Sequence, residues 1–277
     1  MNAIAEQPLA HGRSAEVFAL GPNRVVKLAF EGIDAESVAQ EAAASEVAFE
    51  LGLTPVRCYG LTEEDGRHGI VLDRITGVPL TTLAERNILR LPEVGRTLAT
   101  EHLRVHSAHT DRLPDVRDFA VELLETPPLS ALTPQERAEV ARRIRALPDG
   151  DTVVHLDFHP QNVFVLEDAP TGQGPVVIDW QTAVRGQAAS DVALTRLLFR
   201  EAELFPGTSL PMQVVYSAVR RVLLKYYLGE YLKAGTVTVT ELDRWEIAAR
   251  VLRLGMLDIP SERERMLAGI RKDLAAS

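Results

Sequence analysis

The chain has 277 residues, of which 46% are hydrophobic and 25% are charged, and its formal net charge is −9. This length and composition are ordinary for a soluble globular protein with a large core. The acidic balance argues against nucleic-acid binding, because no basic surface would neutralise phosphates. The single cysteine, Cys58, excludes a disulfide framework and a cysteine-based zinc site. No apolar run reaches the roughly 18 residues that span a bilayer, and MNAIAEQPLAHG lacks a signal-peptide pattern, so we expect a cytoplasmic protein without membrane contact.

Residues 1–80 predict β-strands around one helix. The segments EVFAL and NRVVKLAF, separated by Gly21 and Pro22, predict a hairpin. A helical pattern follows over residues 34–51. Two more short strands are predicted, one over residues 56–61 and one over GIVLDRI after the turn EEDG.

From Pro92 onward the pattern predicts helices. Residues 92–107 carry apolar side chains at helical spacing, and TPQE at 133–136 is a capping box with Pro at the first helical position. Further helices are predicted near residues 211–233, 240–257 and 261–275, with Thr240 and Ser261 as N-caps. A small β-rich N-terminal lobe (1–75) therefore precedes a larger, mostly helical C-terminal lobe (76–277), which is an α+β organisation.

The segment VVHLDFHPQNVFV places polar residues inside an apolar frame. His155, Asp157, His159 and Asn162 lie between two strand-like ends, and such groups need partners because their desolvation is costly. Alternate residues of an extended segment point to one side, so His-x-Asp-x-His would suit a metal site. A structural loop, with polar side chains that cap backbone groups, is a second interpretation.

A third interpretation adds Asp179, which ends the apolar run PVVI. The order H-x-D-x-x-x-x-N followed by a strand-end Asp is the phosphoryl-transfer arrangement of kinases. There, one Asp accepts or orients the attacking hydroxyl, while the Asn and the second Asp hold Mg²⁺ at the nucleotide phosphates. Oxygen ligands suit Mg²⁺, whereas a His-rich set suits zinc. Because all four elements occur in order, we favour this interpretation.

The N-terminal lobe offers an independent test of the kinase interpretation. A kinase-like site needs a turn over the phosphates, a Lys on the next strand and a Glu on the following helix. The chain supplies the turn HGRSAEVF, then Lys27 in VVKL, then the helical segment SVAQEAAASEVAFELG. Glu41 is the predicted partner of Lys27, and Glu46 and Glu50 are alternatives.

Several segments together resemble the aminoglycoside phosphotransferase and choline-kinase-like family, a branch of the protein-kinase-like fold. The resemblance extends from Gly12 to Leu198 and rests on GRSAEVF, VVKL, QEAAASEVAFELGLTPV, VLDRITGVPL, LRVHS, HLDFHPQN and VIDWQTAVRGQAASDVA. HLDFHPQN combined with VIDW is specific, whereas the short glycine turn alone is weak. The resemblance implies a two-lobed, protein-kinase-like α+β fold.

On the nucleotide side, the resemblance implies that ATP or GTP binds together with Mg²⁺. Lys27 would bind the α- and β-phosphates, with Glu41 behind it. Ser14 and the backbone of its turn would cover the phosphates. The base would hydrogen-bond to backbone groups between Asp73 and Ile75.

On the catalytic side, the resemblance implies that Asp157 is the catalytic Asp and that Asn162 and Asp179 are the Mg²⁺ ligands. No Ser/Thr-rich activation segment follows Asp179, which disfavours a protein kinase. The predicted enzyme is therefore a small-molecule O-phosphotransferase that moves the γ-phosphoryl group of ATP or GTP directly to a substrate hydroxyl.

Three further residues take supporting roles in this comparison. His155 would orient the loop by hydrogen bonding, and Asp191, in the D-x-A signature, would support the loop rather than perform chemistry. His159 would contact the substrate or support Asp157. The chain departs from the family at Leu156, where Gly is frequent.

The acceptor is the least determined part of the prediction. Glu201, Glu203 and Glu230 on the expected acceptor side favour a cationic, aminoglycoside-like antibiotic. The alternatives are a kinase of a small metabolite, such as a choline, homoserine or sugar-amine compound, and a nucleotide-binding regulator without useful turnover.

Two sets of side chains receive structural interpretations instead of functional ones. Three histidines at helical spacing are predicted to form a partly exposed helix end and not a metal site: His102, His106 and His109. Three tyrosines are predicted to form a core-facing stripe of a helix: Tyr226, Tyr227 and Tyr231.

Overall fold

The computed structural model describes residues 4–167, 174–203 and 209–276, and the chain forms two compact units. The first unit contains residues 1–82 and 160–183, and the second contains residues 83–159 and 184–277. The sequence predicts one boundary after residue 75. The first unit includes the later segment 160–183, in which strand Val163–Leu166 pairs with strand Gly77–Pro79. The predicted lobe boundary itself stays a prediction.

In the described residues, ten strands form three antiparallel sheets. The strands are β1 (Ile4–His11), β2 (Ala15–Leu20), β3 (Arg24–Ala29), β4 (Cys58–Glu64), β5 (Arg67–Asp73), β6 (Gly77–Pro79), β7 (Thr152–Val154), β8 (Val163–Leu166), β9 (Val176–Val177) and β10 (Val184–Gly186).

Ten α-helices of the described residues provide most of the remaining structure. They are α1 (Ala35–Glu50), α2 (Leu80–Arg86), α3 (Leu91–Val105), α4 (Val116–Glu122), α5 (Pro134–Arg145), α6 (Ala188–Glu201), α7 (Leu210–Lys233), α8 (Val239–Arg244), α9 (Glu246–Met256) and α10 (Pro260–Ala275). Short 3₁₀ helices occupy Ile88–Arg90, Leu123–Glu125 and Pro127–Ala131.

The first unit is built on a five-stranded sheet in the order β1-β2-β3-β5-β4. The predicted hairpin is confirmed, since β2 and β3 pair antiparallel from Ala15 with Ala29 to Leu20 with Arg24. Helix α1 is capped by Asp34, whose carboxylate accepts from the Ser37 N–H at 2.8 Å. β1 lacks a clear alternating pattern in the sequence, so it was not predicted.

A smaller sheet of the first unit, in the order β6-β8-β9, carries the second group of predicted site residues. Asn162 immediately precedes β8, and Asp179 follows β9 after one residue. The predicted apolar run PVVI is thus a strand of only two residues, Val176–Val177.

The second unit is mostly helical, with α3 packed along α7 and α6 packed against α9. Its core includes the fully buried side chains of Trp245, Tyr227 and Tyr231. The two-stranded ladder of β7 and β10 lies in the same unit. Residues 155–159 leave the end of β7, so the ladder fixes where the polar HLDFH segment begins.

Two predicted helix caps are wrong, and one is confirmed. Thr133 and Glu136 form the predicted capping box at α5. The predicted helix over 240–257 is divided at Trp245 into α8 and α9, and its N-cap is Thr238, which forms a capping box with Glu241. Ser261 lies inside α10, because Pro260 already occupies its first turn.

Among the residues that the structure describes, there is no helix with the length and apolar character needed to cross a membrane.

Candidate active site

Lys27 lies at the centre of a buried charge cluster in the first unit. Its strand, β3, is flanked by β2 and β5, so the side chain projects from the interior of the sheet and is 13% exposed. The Nζ atom of Lys27 donates to Glu41 Oε1 at 2.7 Å and to Asp179 Oδ1 at 2.8 Å. Of the three candidate Glu residues on α1, Glu41 is therefore the one that bonds Lys27.

Lys27 and Glu41 form an ion pair in this cluster. Burial lowers the pKa of Lys27, but the Asp179 and Glu41 carboxylates outweigh burial and raise it above its ordinary value. Burial raises the pKa of Glu41 in spite of the Lys27 ammonium. We regard the pair as ionised, because a 2.7 Å bond from a permanently charged ammonium stabilises the carboxylate.

The two predicted Mg²⁺ ligands are brought together by the β8–β9 pairing. The backbone N–H of Ile178 donates to the backbone oxygen of Asn162 at 3.0 Å, and Asp179 is the next residue. Asp179 adopts a left-handed backbone conformation with φ 64°, which is uncommon for a residue other than glycine. An amide oxygen and a carboxylate are hard oxygen donors, so this donor set fits Mg²⁺.

Ser14 lies in the turn between β1 and β2, and its hydroxyl donates to Gln181 Oε1 at 3.2 Å. Gln181 is two residues beyond Asp179, so this bond ties the turn to the Asp179 segment. Sequence reasoning missed Gln181. The only available signal was its position inside the VIDWQ motif.

In the predicted base-binding segment at the end of β5, the N–H and the carboxylate of Asp73 already have hydrogen-bond partners within the protein. The Asp73 N–H donates to Arg57 O at 3.1 Å, and the Asp73 carboxylate accepts from the Arg57 N–H at 3.0 Å and from Tyr59 Oη at 2.9 Å. Among the described residues, the N–H and C=O of Ile75 make no hydrogen bond. The base-binding role of Ile75 stays a prediction.

Asp157 lies in the second unit, in the segment that follows β7. The backbone N–H groups of His155 and Leu156 both donate to the carboxylate of Asp191, at 2.5 Å and 3.1 Å. The Asp157 N–H in turn donates to Nδ1 of His155 at 3.3 Å. Leu156 has a left-handed backbone with φ 60°, a conformation that glycine adopts without strain.

Asp157 is ionised over the whole physiological pH range. Burial raises its pKa, but the adjacent His159, with Nε2 3.3 Å from Oδ1, together with His155 and Arg253, lowers the pKa to about 2. His159 thus contacts Asp157 directly. The sequence left two roles open for His159, contact with the substrate and support of Asp157, and this contact fits the second. A carboxylate with this pKa is a weak base, suited to accept a hydrogen bond from a hydroxyl.

A protein-family model described as the phosphotransferase enzyme family matches residues 6–237. The chain belongs to this family. No curated protein matches the chain at a significant level.

Solved structures of known phosphotransferases are similar to this family member over nearly its whole length. Choline kinase LicA from Streptococcus pneumoniae has a TM-score of 0.58 and 17% identity, over 97% of this chain and 94% of the other. An aminoglycoside-3′-phosphotransferase of type VIII has a TM-score of 0.56 and 20% identity, over 90% and 92%. The GDP and kanamycin complex of APH(2″)-IIIa has a TM-score of 0.55 and 12% identity, over 99% and 95%. These similarities establish a two-lobed, protein-kinase-like α+β fold for the phosphotransferase.

Two histidines of the phosphotransferase contradict the predicted exposed helix end. His102 is fully buried, and His106 is 4% exposed at its side chain. Both face Asp191, with Nε2 atoms 3.0 Å and 3.3 Å from Oδ2. The prediction holds for His109, which is exposed and pairs with Asp151 at 2.9 Å. Burial was missed because it depends on α7, which lies far along the chain.

The acidic residues expected to attract a cationic acceptor are largely engaged within the second unit. Glu201 forms a two-point ion pair with Arg250, at 2.8 Å and 3.0 Å, and is 15% exposed. Glu230 pairs with Lys233 at 3.0 Å. Glu201 is therefore already paired within the second unit, and its attraction for a cationic acceptor stays a prediction.

Proposed function

We propose that the protein transfers the γ-phosphoryl group of ATP or GTP, bound with Mg²⁺, to a hydroxyl of a small-molecule acceptor. The observation that carries the proposal is the bonding of Lys27 to both Glu41 and Asp179 within the first unit. These are the Lys, helix Glu and metal-binding Asp that a kinase-like site requires, and each comes from a different element. A structural ion pair needs one carboxylate for one ammonium, whereas this cluster has two.

Lys27 supplies a fixed positive charge for the phosphates. Its bond to Glu41 holds the ammonium in the interior of the sheet, and its second bond is to a carboxylate at the expected metal position. A nucleotide would offer phosphate oxygens in place of Asp179 as the second partner of Lys27. Asp179 would then be available to a cation.

Asn162 and Asp179 would hold the Mg²⁺ ion, which neutralises phosphate charge in phosphoryl transfer. Asp157 would accept the hydrogen bond of the acceptor hydroxyl and orient its oxygen. Because the pKa of Asp157 is about 2, its contribution is positioning, which suits the loose transition state of this reaction. His159, which contacts Asp157, would support that carboxylate.

The predicted hydrogen bonds to the nucleotide base are compatible with the backbone of Ile75, which makes no hydrogen bond among the described residues. An adenine offers a donor and an acceptor to such a segment, and a guanine offers a different pattern. The kanamycin complex of APH(2″)-IIIa contains GDP, so both ATP and GTP are included as phosphate donors in the experiment below.

For the acceptor, an aminoglycoside-like cationic antibiotic is the first candidate, because two of the similar structures are aminoglycoside phosphotransferases. A small-metabolite kinase is the second candidate. It is favoured by the likeness to a choline kinase and by the ion pair that occupies Glu201. A regulator without useful turnover is disfavoured, since Lys27, Asp157, Asn162 and Asp179 are all retained.

The test is a nucleotide-consumption screen with Mg²⁺ and either ATP or GTP, against panels of hydroxylated antibiotics and amino alcohols. We expect an acceptor-dependent rate, and Asp157→Asn should reduce it by at least about 10²-fold, the lower range for loss of a positioned acid–base group. Nucleotide affinity of that variant should stay within about 3-fold, because Asp157 acts on the acceptor. A protein that binds neither nucleotide in the presence of Mg²⁺ would refute the proposal.

A further inference from the structure

Asp191 has a buried carboxylate that is stabilised mainly by N–H groups that donate hydrogen bonds to it. Its side chain is fully buried, and an unpaired carboxylate there would be costly. The N–H groups of His155 and Leu156 and the Nε2 atom of His106 surround it, at 2.5, 3.1 and 3.3 Å. His102 Nε2 lies 3.0 Å from the same oxygen, at an angle too oblique for a well-directed hydrogen bond.

Two tyrosines of α7 contact the imidazoles of His102 and His106, and these contacts bear on the tautomer of each imidazole. Tyr227 Oη lies 2.7 Å from His102 Nδ1, and Tyr231 Oη lies 2.6 Å from His106 Nδ1. A neutral imidazole has one donor and one acceptor nitrogen. If each tyrosine hydroxyl donates to Nδ1, then each Nε2 carries the proton. The His106 Nε2–H then donates to the Asp191 carboxylate, and the His102 Nε2–H lies beside it. Burial and the neighbouring His106 lower the pKa of His102 to about 3, so His102 is neutral.

Five side chains form what we call the His–Tyr cluster: His102, His106, Tyr227, Tyr231 and Asp191. This cluster contacts residues that precede and follow Asp157 in the chain. On one side, Asp191 holds the N–H groups of the two preceding residues. On the other side, the imidazole of His102 stacks on Phe158, with ring centres 3.8 Å apart and planes inclined by 9°. The catalytic loop is thus held by the cluster directly before and directly after its Asp.

The left-handed backbone of Leu156 needs support from its surroundings, and the contacts of the His–Tyr cluster supply part of it. Such a conformation in a residue other than glycine is strained and persists only where the surroundings impose it. The bond from the Leu156 N–H to Asp191 is one such constraint, and the buried Leu156 side chain is another. A change in the position of Asp191 would release this backbone and move the next residue, Asp157.

We propose that His102, His106, Tyr227 and Tyr231 are positioning residues, which act through Asp191 and Phe158 to hold the loop that carries Asp157. The proposal concerns the chemical step and rests on the proposed function, whereas the hold on the loop is testable without it. The competing explanation of the same geometry is a metal ion bound by His102, His106 and Asp191, whose ligand atoms lie within 4.8 Å of one another.

The decisive variants are Tyr227→Phe and Tyr231→Phe, which remove only a hydroxyl. Tyr226→Phe is the matched control, since Tyr226 lies on the same helix but makes no hydrogen bond in the described residues. In ¹⁵N-labelled protein, wild-type His102 and His106 should give the Nε2–H tautomer, and each decisive variant should shift its own histidine toward the other tautomer. Amide hydrogen exchange at residues 155–157 should accelerate at least about 10-fold in the decisive variants only.

The activity measurement separates this proposal from the proposed function. Without an acceptor, slow phosphate release from Mg-ATP or Mg-GTP reports transfer to water. We expect it to fall by about 5- to 20-fold in Tyr227→Phe, while Mg-ADP affinity stays within about 2-fold. His106→Gln, which retains an N–H donor, should keep more activity than His106→Leu.

Unchanged tautomers and unchanged exchange at residues 155–157 in folded Tyr227→Phe and Tyr231→Phe would overturn the positioning role, even if the enzyme were active. Stoichiometric metal in the purified protein, lost in His102→Gln, would overturn it in favour of a metal site. Absence of nucleotide binding in the wild type, with the exchange effects present, would refute the proposed function but leave the hold on the loop intact.

Discussion

At the scale of single residues, the charge balance around Lys27 bears on the proposed nucleotide site. One ammonium faces two carboxylates, so the formal charge of the three side chains is negative. A bound nucleotide and its cation would add charges of both signs to the same place. Phosphates can replace Asp179 at Lys27 without loss of hydrogen bonds, because each oxygen accepts as the carboxylate does.

Asp157 gives a prediction on acid stability. Its pKa is lowered from 3.8 to about 2, so the ionised group contributes stability above its unfolded pKa and loses that contribution as the pH falls toward 2. The stability difference between wild type and Asp157→Asn should therefore shrink by about 1 kcal/mol between pH 5 and pH 3. Urea unfolding at each pH measures it, and the exposed Asp111→Asn is the control. A constant difference would mean that His159 does not stabilise the carboxylate.

Leu156 gives a prediction with an unusual sign. Replacement by Ala or Gly removes a fully buried side chain, and either variant should lose about 2–5 kcal/mol of unfolding free energy. Glycine ordinarily destabilises relative to alanine. Here φ is 60°, so Leu156→Gly should be more stable than Leu156→Ala by about 1 kcal/mol. Denaturant unfolding of the two variants decides the sign, and a less stable Gly variant would contradict a strained backbone.

At the scale of elements, local signals predicted helices and hairpins well where a cap or turn is decisive. The TPQE box and the Gly21 turn mark α5 and the β2–β3 hairpin, and both are present. The helix over 240–257 was predicted as one element because its apolar spacing hardly changes at Trp245. The interruption there depends on tertiary packing around the buried Trp245, which periodicity does not report.

Two threonines near the start of α8 test whether Thr238, rather than the predicted Thr240, is the N-cap of this helix. The Glu241 N–H donates to the Thr238 hydroxyl oxygen at 3.3 Å, and the Thr238 N–H donates to the Glu241 carboxylate at 2.7 Å. Thr238→Ala should cost about 1 kcal/mol of unfolding free energy. Thr240→Ala should be within about 0.5 kcal/mol of wild type, because it is exposed and inside the helix. Equal effects in thermal unfolding would restore Thr240 as a candidate cap.

At the scale of the whole molecule, the predicted site has a local signal in the sequence, whereas its surroundings have none. The roles of Lys27, Asp157, Asn162 and Asp179 stay predictions, and they rest on the fixed order of residue types that phosphoryl transfer requires. The His–Tyr cluster was not predictable, since His102 and Tyr227 are separated by 125 residues. The ion pair of Glu201 was not predicted for a similar reason, because its partner Arg250 comes from another helix. Long-range pairing of polar groups leaves no periodic signal along the chain.

The stability of the whole molecule should respond to a nucleotide only when a divalent cation is present. Ligand at 100-fold above Kd stabilises the folded state by about 2.7 kcal/mol, and for a chain of this size Tm should rise by roughly 5–10 °C. We expect this rise with ADP and Mg²⁺, and little rise with ADP and EDTA, because Asn162 and Asp179 would share the ion with the phosphates. Asp179→Asn should lose the Mg²⁺-dependent part, while Asp111→Asn should keep it. Differential scanning fluorimetry of the three proteins, each with Mg²⁺ or EDTA, measures these shifts, and an equal rise of wild type in Mg²⁺ and EDTA would contradict the assignment of Asn162 and Asp179 as metal ligands.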